Sequence, residues 1–256
     1  MANKLKEKIQ RGEPVVGTVA QLGGGTSIEC LGLAGLDFVV IDTEHGPFSI
    51  QDTMDYIRAA ETGGITPVVR VPDYTRPSLH RMINCGAKGI IVPCMENMDE
   101  IRLLVEQGRL SPKGKHCFPY ARNSGWALKS AGRLNEFYEE VNEDVLIIPQ
   151  CETVGLLNHI EEVMQVPDID GIFLGPYDLS TDMGISGQFN HPDFLEARSR
   201  ILKACRDAGK PAISFSPDVA AAKKNLADGF AGVALSIDAV EFIKTFKALV
   251  KEVKGN

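Results

Sequence analysis

Glu152 and Asp178 are two carboxylates whose surroundings in the sequence place them at one site. Each follows a short apolar run, residues 145–148 before Glu152 and residues 171–174 before Asp178, and such runs are typical of buried strands. Apolar residues at helical spacing lie between the runs, so the segment predicts a strand–helix–strand unit. Consecutive parallel strands of such a unit are often neighbours, about 4.8 Å apart. We therefore expect the two carboxylates to lie side by side and to face one point.

An amide lies beside these carboxylates in the sequence. Because side chains alternate along a strand, Gln150 shares a face with Glu152, while Cys151 points toward the helix layer. Two carboxylates and an amide just beyond strand ends suit a hard divalent cation that keeps open positions for substrate oxygens. In the alternative interpretation, both carboxylates only cap the helices that follow them.

Three further residues end or follow strand-like segments and could act on the same ligand. Arg70 ends an apolar strand, where its guanidinium could clamp a carboxylate at two points and stabilise an oxyanion; otherwise it forms a structural ion pair. His45 lies three residues after Asp42, where it could be a general base held by a carboxylate; otherwise it is a hydrogen-bonding loop residue. A metal, an arginine and a base together suit enolisation of a 2-oxo acid.

Eight short apolar segments, most of them separated by a helical segment, predict the strands that hold these residues. The segments are residues 15–19, 38–41, 67–70, 89–92, 145–148, 171–174, 212–215 and 232–235. The pattern predicts a single (β/α)8 barrel, a TIM barrel, as one domain over residues 1–256, and the chemistry of such barrels lies at the carboxyl ends of the strands. The candidate residues at those ends are Asp42, His45, Arg70, Gln150, Glu152 and Asp178.

Two segments stand apart from the regular pattern. Residues 110–143 are irregular and rich in Gly, Pro and aromatic residues, which is typical of a functional loop or an oligomer contact. His116 lies in that stretch, and the sequence leaves its role open. The last helix carries an apolar face over residues 240–250. The remaining histidines are expected to be solvated or to cap helices; they are His80, His159 and His191.

Composition limits the partners and the location of the protein. The formal charge is −7 and no block of Lys or Arg stands out, which argues against a nucleic-acid partner. The amino terminus has no apolar signal-peptide core and no run reaches the roughly 18 apolar residues of a membrane span, so we expect a cytoplasmic protein. The six cysteines, at positions 30, 85, 94, 117, 151 and 205, form no Cys-x-x-Cys pair and are expected to be reduced core residues.

Two other chemistries of such barrels are not supported by the sequence. A Schiff-base mechanism needs a desolvated lysine at a strand end, but Lys88 precedes its strand, and Lys113 and Lys115 lie in the irregular stretch. Phosphate-binding barrels use Gly-rich loops after the last two strands, whereas these loops read Phe-Ser-Pro-Asp and Leu-Ser-Ile-Asp. We therefore expect a small-molecule substrate that carries no phosphate and forms no covalent amine adduct.

Five motifs, spread in order over nearly the whole chain, carry a resemblance to a known family. They are Asp42-Thr-Glu-His-Gly-Pro, Val-Val-Arg70, Ile-Val-Pro93, Gln150-Cys-Glu-Thr and Gly175-Pro-Tyr-Asp-Leu-Ser. With these motifs the sequence resembles the HpcH/HpaI family of metal-dependent class II pyruvate aldolases. The resemblance implies cleavage or formation of 4-hydroxy-2-oxo acids through a pyruvate enolate, with release of pyruvate and an aldehyde.

The resemblance also implies a role for each matching residue. The implied roles are proton acceptor for His45, enolate stabiliser for Arg70, ligands of magnesium, manganese or cobalt for Glu152 and Asp178, and contact with pyruvate for Gln150 and the backbone of Tyr177. The resemblance further implies a homo-hexamer whose barrels exchange their last helix, which would cover the apolar face of residues 240–250.

The sequence departs from the family pattern at two places. The family usually has an aspartate in the helix before the fourth strand, which raises the basicity of the histidine, and this chain has Asn84 there. If position 84 reaches His45, directly or across a subunit interface, an asparagine there supplies only a dipole, and we then expect His45 to depend on Asp42 for its basicity. The family's Gly-x-Arg-Gly loop is replaced by Gly-Lys-His-Cys at residues 114–117, which leaves the aldehyde open.

Two alternatives to a pyruvate aldolase remain at the level of the sequence. One is a related enolate lyase that acts on a 3-hydroxyacyl thioester or on an oxaloacetate-like substrate. The other is a barrel that keeps the metal and binds a 2-oxo acid as a sensor without turnover. Release of pyruvate from 4-hydroxy-2-oxo acids separates the aldolase from the sensor, and dependence on coenzyme A separates it from the thioester lyase.

Overall fold

Parallel strands close into a barrel in the computed structural model, which describes residues 3–255. The strands pair in sequence order, and the last pairs with the first. They are β1 (Val15–Ala20), β2 (Phe38–Asp42), β3 (Thr66–Arg70), β4 (Gly89–Val92), β5 (Leu146–Cys151), β6 (Ile172–Leu174), β7 (Ala212–Ser216) and β8 (Gly232–Ile237). The predicted (β/α)8 barrel is confirmed, and each predicted strand segment overlaps an observed strand.

Helices connect the strands and form the outer layer of the barrel. They are α1 (Lys4–Gln10), α2 (Gly25–Leu33), α3 (Ile50–Gly63), α4 (Arg76–Cys85), α5 (Met98–Gly108), α6 (Leu134–Asp144), α7 (Val154–Asn158), α8 (Ile160–Gln165), α9 (Pro176–Asp182), α10 (Pro192–Asp207), α11 (Val219–Ala227) and α12 (Asp238–Lys254). Local sequence explains several starts: Ser49 and Asp52, for example, form a reciprocal capping box at α3. No helix within residues 3–255 has both the length and the apolar character needed to cross a membrane.

The alternation of side chains along each strand divides the core into two layers. In β2, Val40 belongs to the cluster inside the barrel, whereas Val39 and Ile41 pack against the helices. Leu5 of α1 is 1% exposed and belongs to the inner cluster, so α1 closes the amino-terminal end of the barrel. The carboxyl ends of the strands are thereby left as the open end.

The irregular stretch is shorter than the sequence predicted, because α6 occupies its last part. This helix was missed because its sequence, Leu-Asn-Glu-Phe-Tyr-Glu-Glu-Val-Asn-Glu-Asp, carries few apolar residues, and Phe137 is its one buried hydrophobic side chain. The remaining residues, 109–133, lie along the outer side of α4. Arg122 donates there to Glu61 and to the carbonyl oxygen of Cys85.

Two expectations about side-chain environment were wrong. Only Cys85, Cys151 and Cys205 are buried; Cys30, Cys94 and Cys117 are exposed, although all six cysteines are free. His80 is buried rather than solvated, because the stretch 109–133 covers its face of α4 and stacks His116 on it, with ring centroids 3.8 Å apart. The capping role of His191 is confirmed, since its Nδ1 accepts from the backbone N–H of Asp193 at 3.3 Å.

Candidate active site

A cavity of about 190 Å³ opens at the carboxyl end of the barrel. Apolar side chains of the strands form its floor. The predicted site residues among its lining are His45, Arg70, Gln150, Tyr177 and Asp178. Three larger grooves contain no predicted site residue: two, of about 1040 and 710 Å³, lie around α1 at the opposite end, and one, of about 460 Å³, lies along α12. The small cavity is therefore the candidate active site.

Asp42 and Arg70 form a two-point ion pair at the edge of this cavity. The register of β2 and β3 places the two residues opposite each other. Arg70 donates from Nε to Oδ1 at 2.9 Å and from Nη2 to Oδ2 at 2.7 Å. Burial raises the pKa of Asp42, but the hydrogen bonds and charge of Arg70 outweigh that effect and hold the pKa below its usual value. Both groups are therefore charged at neutral pH.

Among the described residues, the Asp42 carboxylate makes no hydrogen bond with the imidazole of His45, although the sequence led us to expect one. Besides Arg70, the Asp42 carboxylate accepts from Gln21 Nε2 at 2.7 Å and from the backbone N–H groups of Glu44 and His45 at 3.2 and 3.3 Å. The prediction that Asp42 holds the base was wrong because the arginine opposite it in register takes the carboxylate. Arg70 thus fits its alternative interpretation, a structural ion pair, and also lines the cavity.

Glu152 is buried at the end of β5 and held from two sides. Its Oε1 accepts from the backbone N–H of Cys94 at 2.8 Å, and its Oε2 accepts from Gln150 Nε2. Thr153, not Glu152, caps the next helix, since its hydroxyl accepts from the backbone N–H of Leu156 at 3.0 Å. The capping interpretation therefore does not apply to Glu152.

Asp178 lies in the first turn of α9 and lines the active-site cavity, whereas Glu152 is not part of the lining. Burial raises the pKa of Glu152; the hydrogen bonds from Cys94 and Gln150 oppose that effect, and the charges of Asp178 and Glu44 add to it. The site thus concentrates negative charge beside the cavity.

The donor atoms around Glu152 and Asp178 fit a hard divalent cation. Gln150 Oε1 is buried and accepts no hydrogen bond from any described residue, so it is free to act as a further oxygen donor. Within residues 3–255 no group of three or more His, Cys, Asp or Glu side chains could hold a metal ion. A cation at this site would therefore have two carboxylates and an amide from the chain, with its other positions open to water and substrate.

Three residues that the sequence analysis left out also belong to this site. Glu44 lies between Arg70 and His45, at 3.3 Å from Arg70 Nε and 3.9 Å from His45 Nε2. Gln21 follows β1 and bonds Asp42. Cys94 follows β4 in a left-handed conformation, and although the residue is exposed, partial desolvation of its thiol, with the charges of Glu152 and Glu44, raises the pKa to about 11. Each of the three comes one or two residues after a strand, which is the pattern that could have revealed them.

Asn84 lies away from the cavity of its own chain. The helix α4 starts after the carboxyl end of β3 and runs for 10 residues toward the amino-terminal end of β4, a rise of about 15 Å. The Asn84 carboxamide oxygen lies 3.1 Å from Nε2 of His116 and not on His45. A direct contact with His45 is thus absent from the structure, and a contact across a subunit interface stays a prediction.

Comparison with known proteins agrees with the fold and identifies related sequences. The model of the HpcH/HpaI aldolase/citrate lyase family matches residues 24–245. The hydroxypyruvate/pyruvate aldolase of Agrobacterium fabrum is 30% identical over 99% of this chain and 94% of its own length. The 4-hydroxy-2-oxo-heptane-1,7-dioate aldolase of Salmonella dublin is 31% identical over 97% of this chain and 94% of its own length.

Two solved structures are similar over nearly their whole length. An HpcH/HpaI aldolase/citrate lyase family protein from Burkholderia cenocepacia J2315 has a TM-score of 0.91 and 28% identity, and the match covers 98% of this chain and 99% of that chain. The citrate synthase SbnG has a TM-score of 0.88 and 26% identity, and the match covers 98% of both chains.

Proposed function

This chain belongs to the HpcH/HpaI aldolase/citrate lyase family and is a carbon–carbon lyase, and we propose that it cleaves and forms 4-hydroxy-2-oxo acids through the enolate of pyruvate. The products of cleavage are pyruvate and an aldehyde. One observation carries the proposal: a single small cavity contains an arginine fixed by a carboxylate, an exposed imidazole, and carboxylate and amide oxygens suited to a hard cation. The names of the two aldolase relatives support the same chemistry.

Glu152, Asp178 and the amide oxygen of Gln150 would hold a divalent cation such as magnesium, manganese or cobalt. When bound, the cation polarises the 2-oxo group of the substrate and balances part of the negative charge of the enolate. Glu152 is already oriented for this task, because Cys94 and Gln150 fix both of its oxygens. The backbone of Tyr177 would border the bound pyruvate from the start of α9.

Arg70 and His45 would carry the charge and proton steps. In the cleavage direction His45 accepts the proton of the 4-hydroxyl, the C3–C4 bond breaks, and its electron pair becomes the enolate while the aldehyde leaves. Arg70 is held by Asp42 through Nε and Nη2, and its charge stabilises the enolate oxygen without first having to reorganise. A proton delivered to C3 then completes pyruvate.

The test of this function is a cleavage and condensation screen over an aldehyde panel, with pyruvate detected through a coupled reductase. Exhaustive chelation should abolish activity, and Mn²⁺, Co²⁺ or Mg²⁺ should restore it. Glu152→Ala and Asp178→Ala should stay inactive at ordinary metal concentrations, whereas Glu161→Ala, on the exposed side of α8, should behave as wild type. Full activity after chelation would contradict the metal dependence, and no pyruvate from any substrate would contradict the aldolase.

A second candidate is condensation or cleavage of an oxaloacetate-like substrate, which the likeness to a citrate synthase favours. Such a substrate also presents a 2-oxo acid to the same oxygens and arginine. Activity that requires coenzyme A thioesters or oxaloacetate, with none on 4-hydroxy-2-oxo acids, would select this candidate.

We also infer that the protein is a cytoplasmic homo-hexamer whose subunits exchange α12. Every residue of this helix from position 240 onward is exposed, although Phe242, Ile243 and Phe246 share one face. An apolar face of this size on an exposed helix favours a second copy of the chain as its partner. The six free cysteines are consistent with a reducing compartment.

A further inference from the structure

Glu44 is a carboxylate at the active site to which the proposed mechanism gives no task. It lies two residues beyond the end of β2, and its side chain is 17% exposed. Its Oε2 atom is buried and makes no hydrogen bond of good geometry with any described residue. A buried carboxylate oxygen without a donor is unfavourable, so a donor is expected to reach it in the working enzyme.

Two cationic groups are within reach of that oxygen. Arg70 Nε lies 3.3 Å away, but its N–H already donates to Asp42 Oδ1. His45 Nε2 lies 3.9 Å away, and its imidazole is 62% exposed and uses neither ring nitrogen in a hydrogen bond with the described residues. A small rotation of this exposed ring would bring Nε2 into hydrogen-bond range. Hydrogen bonds between catalytic groups often have long donor–acceptor distances in the absence of substrate and shorten when substrate binds.

Asp42 cannot take this role, because both of its oxygens are occupied by Arg70, by Gln21 and by two backbone N–H groups. Asn84 of the same chain lies at the other end of α4 and bonds His116. Among the described residues of one subunit, Glu44 is therefore a carboxylate that is both close to the imidazole and free to accept from it.

From this geometry we propose that Glu44 is a positioning residue, which accepts a hydrogen bond from His45 Nε2 and leaves Nδ1 as the nitrogen that takes the substrate proton. The kinetic effects expected of this role rest on the proposed aldolase function, whereas the hydrogen bond between Glu44 and His45 does not. A hydrogen bond to one imidazole nitrogen fixes which nitrogen carries the proton, and thereby makes the other one the base.

The environment of Glu44 favours a proton donor beside its carboxylate, because its pKa is raised above the usual value. Burial raises its pKa; Arg70 and then His45 oppose that effect, and Asp42 and Asp178 add to it. Glu152 and the thiol of Cys94 also face Glu44 from β5 and from the end of β4. A proton donor on the imidazole would relieve part of this crowding of negative charge.

The experiment combines kinetics with the nitrogen-15 spectrum of His45. Glu44→Gln keeps an acceptor oxygen but loses the charge, and Glu44→Ala loses both. Glu44→Gln should lower kcat about tenfold, change the KM for the substrate by less than about twofold, and move the acid limb of the pH–rate profile about one unit lower. Glu44→Ala should lower kcat about a hundredfold and replace the single Nε2–H tautomer by a mixture.

Glu61→Gln is the matched control, since Glu61 is 21% exposed and also pairs with an arginine, Arg122, but lies outside the active-site cavity. It should leave kcat, the acid limb and the tautomer unchanged. An unchanged tautomer and an unmoved acid limb in Glu44→Gln and Glu44→Ala would overturn the proposal. The tautomer is read without turnover, so wild-type protein that shows the Nε2–H tautomer but releases no pyruvate would contradict the aldolase function and not the role of Glu44.

Discussion

At the scale of the residue, the charge of Arg70 decides how the carboxylates of the site differ. Asp42, which it binds at two points, has a lowered pKa, whereas Glu44 and Glu152, which it approaches less closely, have raised pKa values because of their burial. One carboxylate is thus used to fix the arginine, and the others stay available for a proton or a cation. Such a division of neighbouring titratable groups is common at catalytic sites.

His116 gives a prediction for acid stability. Burial, with the nearby His80 and Arg76, lowers the pKa of His116 to about 3. In the unfolded chain a histidine titrates near 6.5, so the unfolded state binds a proton below that pH while the folded state does not. The contribution of neutral His116 to the free energy of unfolding is therefore complete above pH 6.5 and is lost as the pH falls toward 3. At pH 5 the loss should be about 2 kcal/mol relative to pH 7.5 in urea unfolding.

The variant His116→Phe isolates this effect, because it keeps a ring against His80 but cannot bind a proton. Between pH 7.5 and 5, the free energy of unfolding of this variant should fall by about 2 kcal/mol less than that of wild type. His159→Phe, at a partly exposed histidine, is the control and should follow the wild-type curve. Parallel curves for His116→Phe and wild type would show that His116 does not contribute.

Partners of single side chains were the least predictable feature of the site. The sequence identified Asp42, Arg70 and His45 as site residues because each ends or follows a predicted strand. It assigned Asp42 to the wrong neighbour, since the ion pair depends on the register of β2 against β3. The spacing of residues within one segment does not determine the register between two strands, so this pairing could not be predicted from the sequence.

At the scale of the element, strands were predictable because each is a short apolar run between polar turns. Helix α6 was not, because a solvent-facing helix of polar residues lacks such periodicity.

The turn from β6 into α9 forms the part of the site beside Glu152. The turn itself depends on Gly175, where a Cβ atom would lie 2.8 Å from Glu152 Oε2 and 2.9 Å from Gln150 Nε2. The backbone φ of Gly175 is −93°, so the requirement for glycine comes from this close approach alone.

Gly175→Ala should therefore weaken metal binding more than it weakens the fold. The added methyl group must displace the two side chains proposed to face the cation, and overpacking of this kind typically costs about 1–3 kcal/mol. We expect manganese affinity, measured by calorimetry, to fall at least about tenfold.

Gly25→Ala is the control for that variant, because its Cβ would meet only Ala59 Cβ at an ordinary 3.5 Å. It should bind manganese as wild type does. Unchanged manganese affinity in folded Gly175→Ala would mean that Glu152 and Gln150 are not the ligands.

At the scale of the whole molecule, α12 leaves the barrel after its first residues. Asp238 is buried and accepts from the backbone N–H groups of Gln21 and Leu22, which ties the start of the helix to the end of β1. From position 240 to 255 every residue is exposed. The helix is thus anchored at one end only, as expected for an element that completes another subunit.

The prediction at this scale is that assembly depends on the apolar face of α12. The double variant Phe242→Asp and Phe246→Asp places two charges on that face, where both side chains are about half exposed, at 53% and 52%. Burial of a charge without a partner is costly, so exchange of the helix should fail and the mass in light scattering should fall well below six subunits. Ala248→Asp, on the opposite face of the same helix, introduces a like charge and should leave the mass unchanged. If α12 instead packs on its own barrel in solution, the double variant should lower the melting temperature without any change in mass, and the exchanged hexamer would be ruled out.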